Sequence, residues 1–335
     1  MKIIAPVDRP EEAQALIDAG ADELFCGLSS QTWLGRYTIA AVSRRSARIA
    51  SMASVESLAQ TVSIAHAAAV PVCLALNEHY YTQVQHPLLF EYVDLALSAG
   101  VDSLIVADPA LVLAIRDARP GIDLHLSTGT TVLNSSAARF FQDLGVSRIT
   151  LERQQTIAEI GAVVRGAPGV ESAVFILNGR CPNVDGLCTY DHVQIPGEAY
   201  RNACMLACRV RCHVEPDPGD DAGRDEYASV SPVVRQQIWE RVHMDDSPCG
   251  VCAIPELSRL GVTHLKIVGR GNPTPRKLAD VRFVRSLLTL RASAADADGC
   301  FRERARLLRS HVYRRPCRMV SCYFPELIAR ERQAS

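Results

Sequence analysis

Eight short runs of apolar and β-branched residues recur along the chain, and helix-length segments separate most of them. Most of the runs are apolar throughout, which is typical of parallel strands buried on both faces. The runs cover residues 2–7, 23–28, 70–76, 103–107, 123–127, 148–151, 172–177 and 264–268. They predict an α/β fold built on parallel strands.

The segments between the runs carry apolar residues at helical spacing and have recognisable ends. Predicted helices cover residues 10–19, 54–69, 88–99, 109–118, 134–144, 156–164 and 254–260. Gly20, Gly100 and Gly261 follow three of these segments, and glycine suits the left-handed residue that often ends a helix. Repeated βα units of this length predict a (β/α)8 TIM-like barrel, with an open doubly wound sheet as the alternative.

Two stretches depart from the regular alternation. A Cys-rich insertion, residues 178–252, separates the seventh run from the eighth, and an Arg-rich tail follows the helix predicted over residues 275–291. We assign residues 1–291, including the insertion, to the barrel, and residues 292–335 to a C-terminal extension with a helix and a docked arm. Active sites of such barrels lie at the carboxyl ends of the strands, so the insertion is predicted to lie at the mouth.

The insertion holds seven of the 12 cysteines. So many thiols in one segment of a long chain indicate a metal or iron–sulfur site before a disulfide framework. Cys249 and Cys252 form a C-x2-C motif just before a predicted helix, a spacing used by zinc and by iron–sulfur clusters alike. His192 and His213 keep a mixed Cys/His zinc site open, and inert or disulfide-paired cysteines are a further alternative. Cys73, inside a predicted strand, is assigned to packing.

The charge, the hydropathy and the first residues of the chain limit the partners and the cellular compartment that we expect. A net charge of −1 argues against attraction of the whole surface to nucleic acid or membrane. No apolar run reaches the roughly 18 residues that a membrane span needs. The first residues do not follow a signal-peptide pattern, so we expect a cytoplasmic protein, where clustered cysteines act as ligands more often than as disulfides.

Polar residues follow several of the predicted strands and are expected to line the barrel mouth. Arg153 and Arg270 are candidates for gripping a carboxylate, because arginine offers a rigid bidentate fork. With Lys266 they form the proposed catalytic set, which suits a small anionic or hydroxylated substrate. The remaining candidates are Asp8, Asn77, Asp108, Ser127, Thr128, Glu152, Gly269 and Gly271.

Three stretches carry a resemblance to a known family. They are I-I-A-P-V-D-R-P-E-E-A-Q-A-L-I-D-A-G-A-D-E-L-F-C-G-L at the start, S-T-G-T-T-V-L-N-S-S-A-A-R-F-F-Q-D-L-G-V-S-R-I-T-L-E-R in the middle, and I-P-E-L-S-R-L-G-V-T-H-L-K-I-V-G-R before the last barrel helix. In this order they resemble the U32 peptidase family, the collagenase-like peptidases. The resemblance covers residues 2 to about 273.

The resemblance implies an iron–sulfur protein more than a protease. Bacterial members act in oxygen-independent hydroxylation of ubiquinone precursors or of RNA bases, taking the hydroxyl from a donor such as prephenate. It implies a 4Fe–4S cluster on Cys181, Cys188, Cys204 and Cys249, with Cys252 close by; zinc is the alternative. It also implies a related U32 chain as a partner.

The chain departs from the family pattern at several points. Cys208, Cys212 and Cys252 are surplus thiols, and the usual K-I-E-G-R is Lys266-Ile-Val-Gly-Arg270 here. The small β domain of some longer relatives is absent from the extension, which weakens a nucleic-acid partner. On the basis of the family resemblance we nevertheless expect an oxygen-independent hydroxylase, with a metal-dependent peptidase and a non-catalytic cluster-bearing subunit as alternatives.

Overall fold

The computed structural model describes residues 1–36, 42–45, 50–179, 181, 183–188, 248–293, 298–314, 317 and 321–334. Eight parallel strands close into a barrel in chain order, and the last strand pairs with the first through Lys2 and His264. The strands are β1 (Lys2–Pro6), β2 (Glu23–Cys26), β3 (Val72–Leu76), β4 (Ser103–Val106), β5 (Asp123–Leu126), β6 (Arg148–Thr150), β7 (Glu171–Leu177) and β8 (His264–Ile267). The predicted (β/α)8 barrel is confirmed, and the open doubly wound sheet is excluded.

Helices occupy the connections between strands, close to the predicted positions. They are α1 (Ala13–Asp18), α2 (Gln31–Arg36), α3 (Val55–Ala67), α4 (His86–Ser98), α5 (Pro109–Ala118), α6 (Ser135–Asp143), α7 (Ile157–Gly166), α8 (Ile254–Arg259), α9 (Thr274–Ser293), α10 (Asp298–Tyr313) and α11 (Pro325–Ala334). Polar side chains mark three starts: Ser54, Asn134 and Thr156 each accept a hydrogen bond from the backbone N–H three residues on. Such caps satisfy N–H groups that have no partner within the helix.

The long connection from β2 to α3 contains a helix that the sequence pattern did not predict. Helix α2 buries Trp33 almost completely, at 1% exposure, and Trp33 packs edge-on against Tyr81. The apolar period over these six residues is too short to distinguish a helix from a loop. Tertiary packing of one aromatic side chain therefore determines this element.

The base of the barrel interior is polar, so the interpretation of the strands as apolar on both faces is wrong there. Arg148 on β6 pairs with Glu23 on β2 at 2.7 Å, and Ser103 donates to the Cys73 sulfur at 2.7 Å. Cys73 therefore belongs to a polar network and not to simple packing. Glu23, Cys73 and His125 converge as metal-ligating atoms would, but the Arg148 guanidinium already neutralises the carboxylate. In this narrow interior, side chains from opposite strands can satisfy one another.

The C-terminal extension docks against the barrel. The Tyr323 hydroxyl donates to the Asn178 carbonyl, and Glu326 accepts from the Ile157 N–H at 2.9 Å. The predicted helix and docked arm are thus both present, while the boundary at residue 292 stays a prediction. No described helix is long and apolar enough to cross a membrane.

Candidate active site at the barrel mouth

A cavity of about 60 Å³ opens at the carboxyl ends of the strands. Two aromatic rings, Phe25 from β2 and Phe175 from β7, project into it from the barrel interior. The other lining residues are Arg44, Arg45, Asn77, Ser127, Thr128, Arg153, Asp185, Lys266, Val268, Gly269 and Arg270. Five of them are cations and one is a carboxylate, so the lining carries a net positive charge.

Three of the lining cations, Arg45, Lys266 and Arg270, form no salt bridge with a carboxylate among the described residues, and Lys266 and Arg270 are the two that come from the β8 end of the barrel. Lys266 rises from β8 with its Nζ 4.7 Å from the centroid of the Phe25 ring, and burial lowers its pKa to about 8. Arg270 lies just past β8, and burial together with Arg45 lowers its pKa to about 10. Its Nη1 is buried without a hydrogen-bond partner among the described residues. A buried, unsatisfied charge is costly, so an anion would be bound favourably here.

Glycine at position 27 makes room for the Arg270 guanidinium. A Cβ added there would lie 2.3 Å from the Arg270 Nη1. Gly27 directly follows β2, whereas Arg270 comes from the opposite end of the chain. The close approach therefore explains why the residue after Cys26 has no side chain.

Arg153 is already paired within the protein. Its guanidinium stacks 3.9 Å from the Phe175 ring centroid and forms an ion pair with Asp185. Arg44 reaches the same carboxylate at 3.3 Å. Burial alone would raise the pKa of Asp185, but Arg153 and Arg44 override that effect and hold it well below its usual range. Asp185 therefore stays ionised and neutralises part of the cationic lining.

Glu152 lies behind this ion-pair network with a protonated carboxyl. Burial, together with the nearby Asp185 charge, raises its pKa to about 8. At neutral pH this side chain adds no negative charge to the mouth. The local field therefore remains cationic despite a second acid close by.

Cys181 and Cys188 flank Asp185 on the loop that leaves β7. The Cys181 thiol is close enough to interact with both Asp185 and Arg153, and burial raises its pKa to about 12. Gln154 fastens the loop by donating to the Cys181 carbonyl at 3.0 Å and to the Asn183 carbonyl at 2.6 Å. Cys181 therefore lies beside the cavity lining, and Cys188 closes the same turn through its backbone N–H, which donates to the Asp185 carbonyl at 3.4 Å.

Cys249 has other neighbours. Its backbone forms a parallel bridge with Cys322 in the C-terminal extension, and the charges of Cys322 and Cys317 reach its thiol. Cys252 is likewise within electrostatic reach of Cys249 and Cys317. Cys204, Cys208 and Cys212 lie outside the described residues. The ligand set Cys181, Cys188, Cys204 and Cys249 therefore stays a prediction.

The donor chemistry of the described thiols fits an iron–sulfur centre. Cys181, Cys188, Cys249 and Cys252 are free cysteines on irregular backbone or short turns, and the loop from Cys181 to Cys188 is fastened to the barrel through Gln154. Thiolates are the ligands that iron–sulfur clusters use, and zinc accepts them as well. The cysteines are therefore chemically suited to both alternatives.

Most of the predicted rim residues line the cavity. Asn77, Ser127, Thr128, Gly269, Arg153, Lys266 and Arg270 do so. Asp8 instead pairs with Lys277, and Asp108 caps α5 by accepting from the Ala110 N–H at 2.8 Å. Both acids therefore have structural roles.

Arg44, Arg45 and Asp185 were missed by sequence reasoning. The paired arginines at 44–45 occur in a connection without apolar periodicity. Asp185 lies between Cys181 and Cys188, and only these two cysteines were predicted as site residues. The double arginine at 44–45 was the one feature of the sequence that could have indicated a cationic site here. The side chains of Arg44 and Arg45 line the cavity because residues 42–45 of the β2–α3 connection lie at the barrel mouth.

The chain is similar to known proteins along most of its length. The family model for peptidase family U32 matches residues 8–326. A tRNA hydroxylation protein P of Haemophilus influenzae is 30% identical over 122 residues, which are 36% of this chain and 26% of that protein. A tRNA hydroxylation protein P1 of Bacillus subtilis is 22% identical over 301 residues, 88% of this chain and 63% of that protein. The chain thus spans less than two thirds of the length of either relative.

A solved structure described as the U32 peptidase Mk0906 is also similar, with 15% identity and a TM-score of 0.49. It covers 82% of this chain and 94% of its own. The family match extends from the second residue after β1 into the docked C-terminal helix. The chain therefore belongs to peptidase family U32.

Proposed function

We propose that this chain takes part in oxygen-independent hydroxylation of an RNA-borne or small substrate, with an anionic reactant bound at the barrel mouth beside an iron–sulfur cluster. The observation that carries the proposal is the cavity lined by both Lys266 and Arg270, neither of which forms a salt bridge with a carboxylate among the described residues, while the Arg270 Nη1 has no hydrogen-bond partner there. Relatives named as tRNA hydroxylation proteins supply the reaction class.

The cavity suits a small carboxylate better than a nucleotide. A cavity of about 60 Å³ has room for only a few water-sized groups, which is too little for a nucleotide. Arg270 offers a planar fork and Lys266 a point charge, and together they match a carboxylate buried against Phe25. A small carboxylate that donates the hydroxyl would occupy the cavity, and an RNA base would approach from the rim.

Cys181 and Cys188 are proposed ligands of the cluster, because both flank Asp185, a lining residue of the cavity, on the loop that leaves β7. The resemblance adds Cys204 and Cys249, and Cys208 and Cys212 are further thiols of the same insertion. When bound, a 4Fe–4S cluster would supply electron transfer or polarise a substrate oxygen. The chain itself would orient the anion through Lys266 and Arg270, and the Arg153–Asp185 pair would keep the loop in place.

Analysis of iron, sulfide and zinc in protein purified without air tests this proposal. We expect about four irons and four sulfides for a cluster at this site, and we expect Cys188→Ala to lose that amount. The matched control is Cys300→Ala, because Cys300 is exposed and distant in sequence from the insertion. Zinc in place of iron, without sulfide, would overturn the proposal.

The reaction itself is tested in cells. RNA from anaerobic cells that contain the chain, with and without a related U32 chain, would be analysed for hydroxylated nucleosides by mass spectrometry. We expect a hydroxylated nucleoside that disappears with Arg270→Gln. Unchanged RNA in both strains, with an intact cluster in the protein, would contradict an RNA substrate and leave a small molecule.

A further inference from the structure

A second pocket lies beside the mouth cavity, where the turns after β1 and β8 meet the β2–α3 connection. Its volume is about 510 Å³, which is within the range of small-molecule sites. Its polar lining residues are Asp8, Arg9, Glu11, Ser51, Ser57 and Gly271. No aromatic ring of the described residues lines it, so the pocket suits a polar ligand better than a stacked base.

This pocket adjoins the mouth cavity at Arg270. Gly271 lines the pocket, whereas Arg270, the residue before it, lines the mouth cavity. Ser51 of the pocket and Arg270 also approach the same glycine: a Cβ added at Gly27 would lie 2.8 Å from the Ser51 Oγ and 2.3 Å from the Arg270 Nη1. A ligand that fills the pocket would therefore lie next to the anion proposed for the mouth.

Asp8 presents one carboxylate oxygen that lacks a donor. Its Oδ2 accepts from the Gly271 N–H at 2.6 Å and forms an ion pair with Lys277. Its Oδ1 is buried and has no hydrogen-bond partner among the described residues, and the side chain is only 5% exposed. One oxygen thus holds the turns together, whereas the other is costly to bury until a ligand supplies a donor.

The neighbouring charges do not compensate for this oxygen. Lys277 is shared with Glu12, whose Oε1 accepts from the ammonium at 2.6 Å. Both oxygens of Glu12 have partners, because its Oε1 also accepts from the Asp8 N–H at 2.7 Å and its Oε2 accepts from the Thr274 hydroxyl at 2.7 Å. Two carboxylates therefore share one ammonium ion, and the acceptor that is left over belongs to Asp8, which lines the pocket.

The chemistry of the lining matches a sugar with a phosphate attached. A sugar hydroxyl can donate to the Asp8 carboxylate, and hydroxyls also pair with serine side chains such as Ser51 and Ser57, because each donates and accepts. Arg9 is exposed at the same pocket and offers a guanidinium to a phosphate. Within an RNA strand the 3′ and 5′ oxygens are esterified, so the 2′-hydroxyl is the sugar hydroxyl that remains to donate.

We propose that this pocket binds one ribose of an RNA strand, with the 2′-hydroxyl donating to the Asp8 Oδ1 and Arg9 contacting the adjoining phosphate. The inference rests on the proposed function in so far as that function takes an RNA-borne substrate. It adds the residue by which the chain distinguishes RNA from DNA. The attached base would lie at the rim of the mouth, beside Arg270.

Binding of two matched oligonucleotides to the unaltered full chain tests the ribose site. The probes are a short single-stranded RNA of mixed sequence and the same strand with 2′-fluoro sugars, which keep the sugar pucker of RNA but cannot donate a hydrogen bond. Fluorescence anisotropy should show that the RNA binds about ten- to a hundredfold more tightly, the range for one hydrogen bond to a charged acceptor. Equal affinity for the two strands would overturn the inference.

Asp8→Asn assigns the discrimination to one atom. The amide keeps an oxygen for the Gly271 N–H and for Lys277, but it places an NH₂ donor where the Oδ1 acceptor was, so the variant should bind both strands equally. Asp108→Asn is the matched control, because Asp108 is also the second residue after a strand and both of its oxygens already accept from backbone N–H groups. A preference for RNA that survives in Asp8→Asn would overturn the inference.

The result is separable from that of the proposed reaction. A preference for RNA that depends on Asp8, in a chain whose cells contain no hydroxylated nucleoside, would contradict the reaction and support the ribose site. Hydroxylated nucleosides in cells that contain Asp8→Asn, together with equal binding of the two strands by the unaltered chain, would overturn the ribose site and support the reaction.

Discussion

Lys266 is a lysine whose side chain the fold encloses in the barrel. It rises from the middle of β8 among Phe25, Arg270 and the polar network at the barrel base. Burial disfavours its charged form and lowers its pKa to about 8, more than two units below that of a lysine in water. Because burial destabilises the charged form of Lys266 in the free protein, a bound anion would stabilise that charged form strongly.

The pH dependence of anion binding follows from this pKa. Below about pH 8 Lys266 is an ammonium ion, so affinity for a small dicarboxylate such as malonate should be highest there and fall as the pH rises further. The bound anion favours the charged form and raises the pKa of Lys266 in the complex, so the fall should begin near the pKa of the free protein and level off near the higher pKa of the complex. Calorimetric titrations between pH 6.5 and 9.5 measure both effects.

Lys266→Met should weaken malonate binding by about ten- to a hundredfold, the range for a charge-assisted hydrogen bond of about 1.5–3 kcal/mol. It should also remove the pH dependence near 8. Lys2→Met, at the exposed start of β1, is the matched control and should retain both. Affinity that stays constant from pH 6.5 to 9.5 in the unaltered protein would contradict the role of Lys266.

At the scale of elements, the loop that leaves β7 is held by the turns after β5 and β6. Asp185 receives the Thr128 hydroxyl from the turn after β5 and the Arg153 guanidinium from the turn after β6. Gly186 lies against the Gly129 carbonyl, where a Cβ would approach that oxygen to 2.3 Å. Backbone-to-backbone contact of this kind leaves no flexible atom to move aside.

Gly186→Ala should therefore displace the loop that leaves β7, which should lower the stability of the fold and weaken iron binding at Cys188. We expect the free energy of unfolding to fall by about 1–3 kcal/mol, the usual cost of overpacking, with faster loss of iron from the Cys188 site in air. Urea denaturation and timed iron analysis measure the two effects. Gly35→Ala in α2 is the control, because a Cβ there meets nothing within 4 Å, and loss of stability equal to that of Gly186→Ala would contradict this account.

At the scale of the whole molecule, the C-terminal arm closes over the end of β7 and the start of α7. Phe324 is 3% exposed and packs against Gly250, where a Cβ would meet its ring at 2.8 Å. Glu326 of the arm accepts from the first N–H of α7. The arm thus contacts the two elements that lie on either side of the Cys181–Cys188 loop.

Phe324→Ala should loosen the arm without unfolding the barrel. Burial of a phenylalanine contributes about 3–5 kcal/mol, so hydrogen exchange at the amides of Cys249, Ile157 and Tyr323 should speed up by a hundredfold or more. Amides of β3 and β4 should keep their protection. Val312→Ala, 42% exposed on α10, is the control, and unchanged exchange at Ile157 would show that the arm does not depend on this packing.

The barrel could be predicted from the sequence because its signals are local. Most strands lie in short runs rich in apolar and β-branched residues, and each predicted helix lies within a few residues of the one observed, as with residues 109–118 and α5 (Pro109–Ala118). Side-chain caps and glycine C-caps involve residues only three or four positions apart, so they can be recognised in the sequence alone. Several of the polar residues that follow the strands line the cavity for the same reason, whereas Asp8 and Asp108 do not.

Tertiary structure decided which charges face each other. Arg270 meets Gly27 and Arg44 meets Asp185 only after closure of the barrel brings segments more than 100 residues apart together. The pairing of Cys249 with Cys322 likewise depends on how the arm crosses β7, and no spacing in the chain encodes it. Local sequence determined the strands, helices and the mouth of this protein, whereas the electrostatics of its site arise from contacts between distant segments, which only the closed fold specifies.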